Sequence, residues 1–84
     1  MFKVKIITPN KHYADFDASI LNVVTISGQI GLLTNHMPYI SQLIPSKINY
    51  VNQEGERIFL NIGAGFIYFV DNLATIVTDY CNKN

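Results

Sequence analysis

Apolar and polar positions alternate with period two from one end of the chain to the other, and no segment sustains apolar spacing at three and four residues. That pattern predicts strands and no helix. Phe2, Val4 and Ile6 point one way and Lys3 and Lys5 the other, a first strand closed by a turn at Thr8-Pro9-Asn10. Further strands are expected over Tyr13 to Asp17 and Ala18 to Thr25; in the second, Leu21 and Val23 alternate with Ile20, Asn22 and Val24. Ile48 and Tyr50 alternate with Lys47 and Asn49, after which Gln53-Glu54-Gly55-Glu56 turns the chain into Ile58, Leu60 and Ile62 against Arg57, Phe59 and Asn61. A second hairpin joins Phe66 to Val70 and Leu73 to Thr78 through Asp71-Asn72, a two-residue link of the kind that suits primed turns. Gly28 to Leu33 and Thr34 to Pro38 read as loops. Short strands at this spacing predict an all-β fold, a small two-sheet β-sandwich of about eight to ten strands in one domain over residues 1–84.

Composition sharpens this picture. Hydrophobic residues make up 49% of the 84 positions and charged ones 14%, so the chain can build a core, while a domain this small still leaves roughly 40% of its unfolded surface exposed. With so few charges, part of that exposed surface must be apolar, which points to a partner. Six basic residues balance six acidic ones, leaving no net field to gather a phosphate backbone, and this argues against nucleic acid. The single cysteine, Cys81, excludes an internal disulfide and fits a reducing compartment. The apolar run around Gly63 to Val70 is far shorter than the ~20 residues of a membrane span, so no direct membrane insertion is expected, and Lys3 and Lys5 interrupt any signal-peptide core.

Candidate chemistry is sparse. His36, in Thr34-Asn35-His36-Met37-Pro38, is the most reactive-looking residue, but its neighbours in sequence supply no nucleophile, carboxylate and oxyanion site in company. His12 reads as part of a solvated turn, Asp15 and Asp17 as solvent-facing strand positions, and Cys81 as a bystander near the end of the sequence. Two histidines and one cysteine match no zinc spacing, so no metal or other cofactor is expected. Gly63-Ala64-Gly65 would need a following helix to cradle a phosphate; a strand follows, so the glycines predict a bulge or a corner where another backbone comes close. The aromatic group Phe66, Tyr68 and Phe69 lacks basic neighbours for stacking bases and is read as core.

The block Gly28-Gln29-Ile30-Gly31-Leu32-Leu33-Thr34-Asn35-His36-Met37-Pro38 resembles the signature of ATP synthase epsilon subunits, roughly Gly-Glu-Leu-Gly-Ile-Leu-Pro-Gly-His-Ala-Pro, with both glycines, the apolar pair, the histidine and the proline in register. Thr8-Pro9 is similar to that family's opening, Leu43-Ile44-Pro45 resembles its Leu-Lys-Pro-Gly element, and Gly63-Ala64-Gly65-Phe66, Asp71-Asn72 and Val77-Thr78-Asp79 parallel its later elements. Ser46, Ala64 and Thr34-Asn35 depart from the usual glycines and Pro-Gly; Asn35 still tolerates a left-handed backbone.

The resemblance implies a non-catalytic central-stalk subunit, peripheral on the cytoplasmic face of a bacterial membrane, that grips the gamma subunit and touches the c-ring so that ion-driven rotation reaches the catalytic head. Transferred residue by residue, it implies c-ring contacts at Gly28, Gln29, Ile30, Gly31 and Leu32, and gamma contacts at Thr8, His36 and Ser41. Gln29 stands where the family usually has glutamate, which leaves neutral hydrogen bonding in place of a charge-assisted contact. Most relatives continue into a helical hairpin that can restrain ATP hydrolysis and in some bacteria binds ATP. This sequence ends at Asn84, as a naturally short form or a trimmed chain, so neither property is carried over. The rival reading is a free-standing β-sandwich that binds a ligand or peptide.

Overall fold

The computed structural model describes residues 1–9 and 11–83, with the backbone alone at residues 11–14. It contains ten strands: β1 Phe2–Thr8, β2 Lys11–Ala18, β3 Ile20–Thr25, β4 Gly28–Leu33, β5 Tyr39–Leu43, β6 Ser46–Val51, β7 Arg57–Ile62, β8 Gly65–Val70, β9 Leu73–Thr78 and β10 Cys81–Lys83. Hydrogen-bonded neighbours run β10-β7-β6-β3-β5-β8-β9-β1-β2, with β4 on the other edge of β3. Every pairing is antiparallel except β1 with β9.

Strand β3 makes two layers out of this one ladder. Its first half, Ile20 to Asn22, pairs with Val51 to Asn49 of β6, whereas Thr25 pairs with Leu43 of β5. The sheet therefore folds over at β3 into a layer β4-β3-β6-β7-β10 and a layer β5-β8-β9-β1-β2, the predicted two-sheet sandwich. Inward-facing positions of both layers meet in one core: Val4 and Ile6 of β1, Leu21 and Val23 of β3, Ile48 of β6, Ile62 of β7, Ile67 and Phe69 of β8 and Ile76 of β9. Phe16 of β2 stacks on Tyr50 of β6 across the layers at 3.9 Å between ring centroids.

Turn chemistry explains the hairpins. Asp71 and Asn72 both have positive φ, 51° and 60°, the geometry that a two-residue primed turn needs to match strand twist. Gly55 takes φ 83° in the β6–β7 turn, where the Asn52 side-chain oxygen accepts from the backbone N–H of Glu54 and of Glu56. Asn35 adopts φ 66° as its residue type allows. At the Gly63-Ala64-Gly65 corner the expected close approach is present: a Cβ on Gly65 would lie 1.9 Å from the Val77 carbonyl oxygen.

Several expectations need correction. Gly28–Leu33 is a strand along its full length, not a loop, because β3 pairs with it from Ile20↔Leu33 to Thr25↔Gly28; two glycines hide the alternation. The intervening turn is held by Thr25, whose hydroxyl donates to the Gly28 carbonyl and accepts from the Ser27 N–H. His12 sits in β2, opposite Ile7, instead of in a turn; whether its side chain is solvated lies outside the described residues, as does Asn10 of the first turn. Cys81 is no bystander: it is buried, pairs with Ile62 and joins the core. Burial pushes the Cys81 thiol pKa up, and the thiolate is the reactive form. We expect an aromatic disulfide reagent at pH 7.5 to leave Cys81 unmodified over minutes in the native chain and to label it fully in denaturant; fast native labelling would contradict this burial.

Candidate docking interface

The outer surfaces of the two layers differ in chemistry. On the β4-β3-β6-β7-β10 layer, register places Gly31, Asn22, Asn49 and Phe59 in one row and Val51 beside Arg57. Asn22 donates to the Asn49 side-chain oxygen at 2.9 Å, and Arg57 donates to the same oxygen. Lys47 lies 6.0 Å from the Phe59 ring centroid. Gly31 makes room for this row, since a Cβ there would stand 3.0 Å from the Asn22 side-chain oxygen. The middle of this face is polar, with Leu33 and Phe59 as its exposed apolar residues.

The outer surface of the other layer is apolar over β5, β8 and β9, poor in groups that hold water. Register aligns Ile40 of β5 with Tyr68 of β8 and Thr75 of β9, Gln42 with Phe66 and Val77, and Val70 with Leu73. Ile40, Phe66, Tyr68, Val70, Leu73 and Val77 are each 37–65% exposed and adjoin one another across three strands. Apolar patches beyond a few hundred Å² are uncommon on free monomers and mark interaction sites. The β8 run Phe66-Ile67-Tyr68-Phe69-Val70 is apolar on both faces of its strand. Ile67 and Phe69 fill the core, but Phe66 and Tyr68 project outward, so the expectation that the aromatic group is core holds for Phe69 alone. Lys3 and Lys5 of β1 border the patch, and Lys3 approaches Asp17 at 3.6 Å.

The residues implied as gamma contacts are spread along this same layer. Thr8 lies at the end of β1 and lines a depression of about 410 Å³ with Ile7, Pro9, Gly65, Phe66 and Val77. Ser41 is half-buried in the middle of β5, opposite the core residue Ile67, so its side chain is turned inward and away from the outer face, against the expectation of a gamma contact. His36 is at the far end, edge-on to Tyr39 and Phe69 at 6.0 and 5.9 Å between ring centroids. Its Nδ1 is 2.7 Å from the Met37 carbonyl; a carbonyl only accepts, so that nitrogen donates. The adjoining loop is fixed to the β8–β9 turn by reciprocal side chains: the Asn35 N–H donates to the Asn72 side-chain oxygen at 2.7 Å, and the Asn72 amide donates to that of Asn35 at 2.9 Å.

The residues implied as ring contacts divide differently. Gly28, Gln29 and Gly31 are exposed on β4, and Ile30 is half-buried against the core. Leu32 has no exposed surface; its side chain belongs to the core, so it is not placed to meet a partner, against the expectation of a ring contact. A depression of about 480 Å³ beside β4 is lined by Gln29, Ile30, Gly31, Asn22, Lys47 and Asn49.

A small sandwich with one mainly polar outer face and one broad apolar outer face has the surface chemistry of a docking module. The chain belongs to the ATP synthase delta/epsilon chain β-sandwich domain family, which matches residues 1–83. It is 36% identical over 84 residues to the ATP synthase epsilon chain of Lactiplantibacillus plantarum, covering 95% of this chain and 58% of that one. With the epsilon chain of Pediococcus pentosaceus it shares 35% over 77 residues, covering 90% and 55%. The chain thus spans a little over half the length of these relatives. Among solved structures, the fold is similar to a chain of the Euglena gracilis mitochondrial ATP synthase OSCP/F1/c-ring assembly, at TM-score 0.88 and 18% identity over 95% of this chain and 51% of that one. A chain of the Tetrahymena thermophila mitochondrial ATP synthase central stalk and c-ring matches at TM-score 0.75 and 20% identity, covering 95% and 64%.

Proposed function

We propose that this domain is the sandwich part of an epsilon-type central-stalk subunit of an F-type ATP synthase, non-catalytic, and peripheral on the cytoplasmic face of a bacterial membrane. Family membership and relatives named as epsilon chains support the assignment, and the single structural observation that carries the mechanism is the dry outer face of the β5-β8-β9-β1-β2 layer. In this reading the gamma subunit covers that face and meets Thr8 and His36 at its two ends, while β4 meets the c-ring through Gly28, Gln29, Ile30 and Gly31; Ser41, turned inward beside Ile67, is left out of the contact. Burying apolar surface on gamma contributes roughly 25 cal/mol per Å², and the paired strands beneath the contact resist shear. Torque from the ring then passes to gamma through a rigid two-layer body.

The test is an affinity titration of this chain against purified gamma subunit of the same organism at moderate salt. A saturable one-to-one complex that weakens on substitution at Ile40, Phe66 or Tyr68 of the outer face is expected. Absence of binding at micromolar concentrations would overturn the proposal and favour the free-standing binding module.

A further inference from the structure

Strand β4 is an edge. Among the described residues it pairs with β3 alone, and the direction of its main-chain groups follows from the hydrogen bonds β3 makes on its far side. There the Ile26 N–H donates to the Gln42 carbonyl and the Val24 carbonyl accepts from the Ile44 N–H. Within a strand, successive residues turn their N–H and C=O to opposite sides, so Thr25, Val23 and Leu21 bond to Gly28, Ile30 and Leu32. The N–H and C=O of Gln29 and Gly31 are therefore left facing away from the sheet. Exposed edges of this kind are ordinarily guarded by lysine, proline, a bulge or an inward charge. Here the pairing from Gly28 to Leu33 is free of register shifts, and from Ala18 to Ser46 the sequence holds no Asp, Glu, Lys or Arg. Gly31 also leaves the strand without a side chain on its outer face at mid-length, and the only polar side chain on β4 is the neutral Gln29.

We propose that the main chain of β4 at Gln29 and Gly31 is a strand-addition site, taken in the assembled rotor by an extended segment of a c-ring loop that pairs with it through neutral backbone hydrogen bonds. This rests on the reading that β4 faces the ring and specifies how the contact is made. An unguarded edge is retained where a partner covers it, and a charge-free edge places no condition on the charge of the segment it takes. The contact is accordingly insensitive to salt, unlike one built on an ion pair.

The experiment uses purified rotor assembled from gamma, c-ring and this chain, with hydrogen exchange read at single amides. In the free chain the Gln29 and Gly31 amides should exchange far faster than those of Ile30 and Leu32; in the rotor all four should be protected, by at least tenfold at Gln29 and Gly31. Gln29→Ala, which removes the side-chain contact and keeps the main chain, should cost at most threefold in retention on the ring, by the same factor at 50 and at 500 mM salt. Gln29→Pro, which deletes one outward N–H and no bond to β3, should weaken it at least tenfold with an unchanged thermal melt. If the chain joins the rotor but the Gln29 and Gly31 amides still exchange freely, or if Gln29→Ala is the damaging change, strand addition is wrong while the ring contact stands. If the wild-type chain is retained by gamma and not by the ring, the underlying reading of β4 fails. Protection of these amides in the chain alone, rising with its concentration, together with free exchange in the rotor, would identify a second copy as the occupant and overturn the proposal.

Discussion

Gly65→Ala is expected to lower the melting temperature of this domain on the order of 20 °C or to prevent folding. The methyl group would have to occupy a point 1.9 Å from the Val77 carbonyl oxygen, 2.8 Å from Thr78 Cα and 2.9 Å from Val77 carbonyl carbon. All three are backbone atoms of β9, the strand that β8 pairs with from Gly65↔Thr78 onward, so no rotamer change relieves the clash. Either β9 shifts and breaks the ladder at this corner, or Thr78 gives up its buried hydroxyl bond to the Gly63 carbonyl. A loss of about 4 kcal/mol belongs among the largest single-residue effects and is comparable with the roughly 4–13 kcal/mol that a chain of 84 residues has in total. Gly55→Ala is the control. Nothing stands within 4 Å of its would-be Cβ, and only its φ of 83° opposes a side chain, at a cost of about 1 kcal/mol. Thermal melts of both variants by circular dichroism decide the matter: equal, small shifts would show that the close approach at Gly65 is absent.

The second large effect concerns binding and should leave folding untouched. Tyr68 stands at the centre of the dry face, between Ile40 of β5 and Thr75 of β9, and is 42% exposed. Aromatic residues at the centre of an interface carry a disproportionate share of its energy, and a carboxylate buried there without a partner adds a desolvation cost. Tyr68→Asp is therefore expected to weaken the complex with gamma at least ~100-fold, about 2.7 kcal/mol, with a melting curve close to wild type. Phe59→Asp is the matched control, since Phe59 is 40% exposed on the polar outer surface of the other layer. Loss of affinity in both variants, or in neither, would remove the dry face from the proposal.

The hairpins were legible because their turns are specified by residue type. Asp71-Asn72 and Gly55 stand where positive φ is needed, and their backbone angles agree. Strand β4 was not legible, because alternation is read from side chains and Gly28 and Gly31 have none; only pairing with β3 shows it is a strand. Cys81 misled for a related reason: a three-residue strand near the end of the described chain has too few positions to display a period, and its burial is conferred by Ile62 across the ladder. Thr8, Ser41 and His36 came from resemblance to a family motif. The structure distributes them along one layer and adds the Ile40, Phe66, Tyr68 and Val77 face between them, which no motif marked.

What the sequence determined by itself is what nearest neighbours along the chain control: strand character through period-two alternation, turn positions through left-handed Asn, Asp and Gly, and, through low charge in a small domain, that some apolar surface stays outside. Which surface that is, and which strand keeps an open edge, was decided only by tertiary structure. An all-apolar strand such as β8 offers both its faces equally to the core, and the choice falls to the register with β5 and β9, set by residues far away in sequence. The fold-over at β3 then leaves β4 without a second neighbour and the outer side of β8 without a cover.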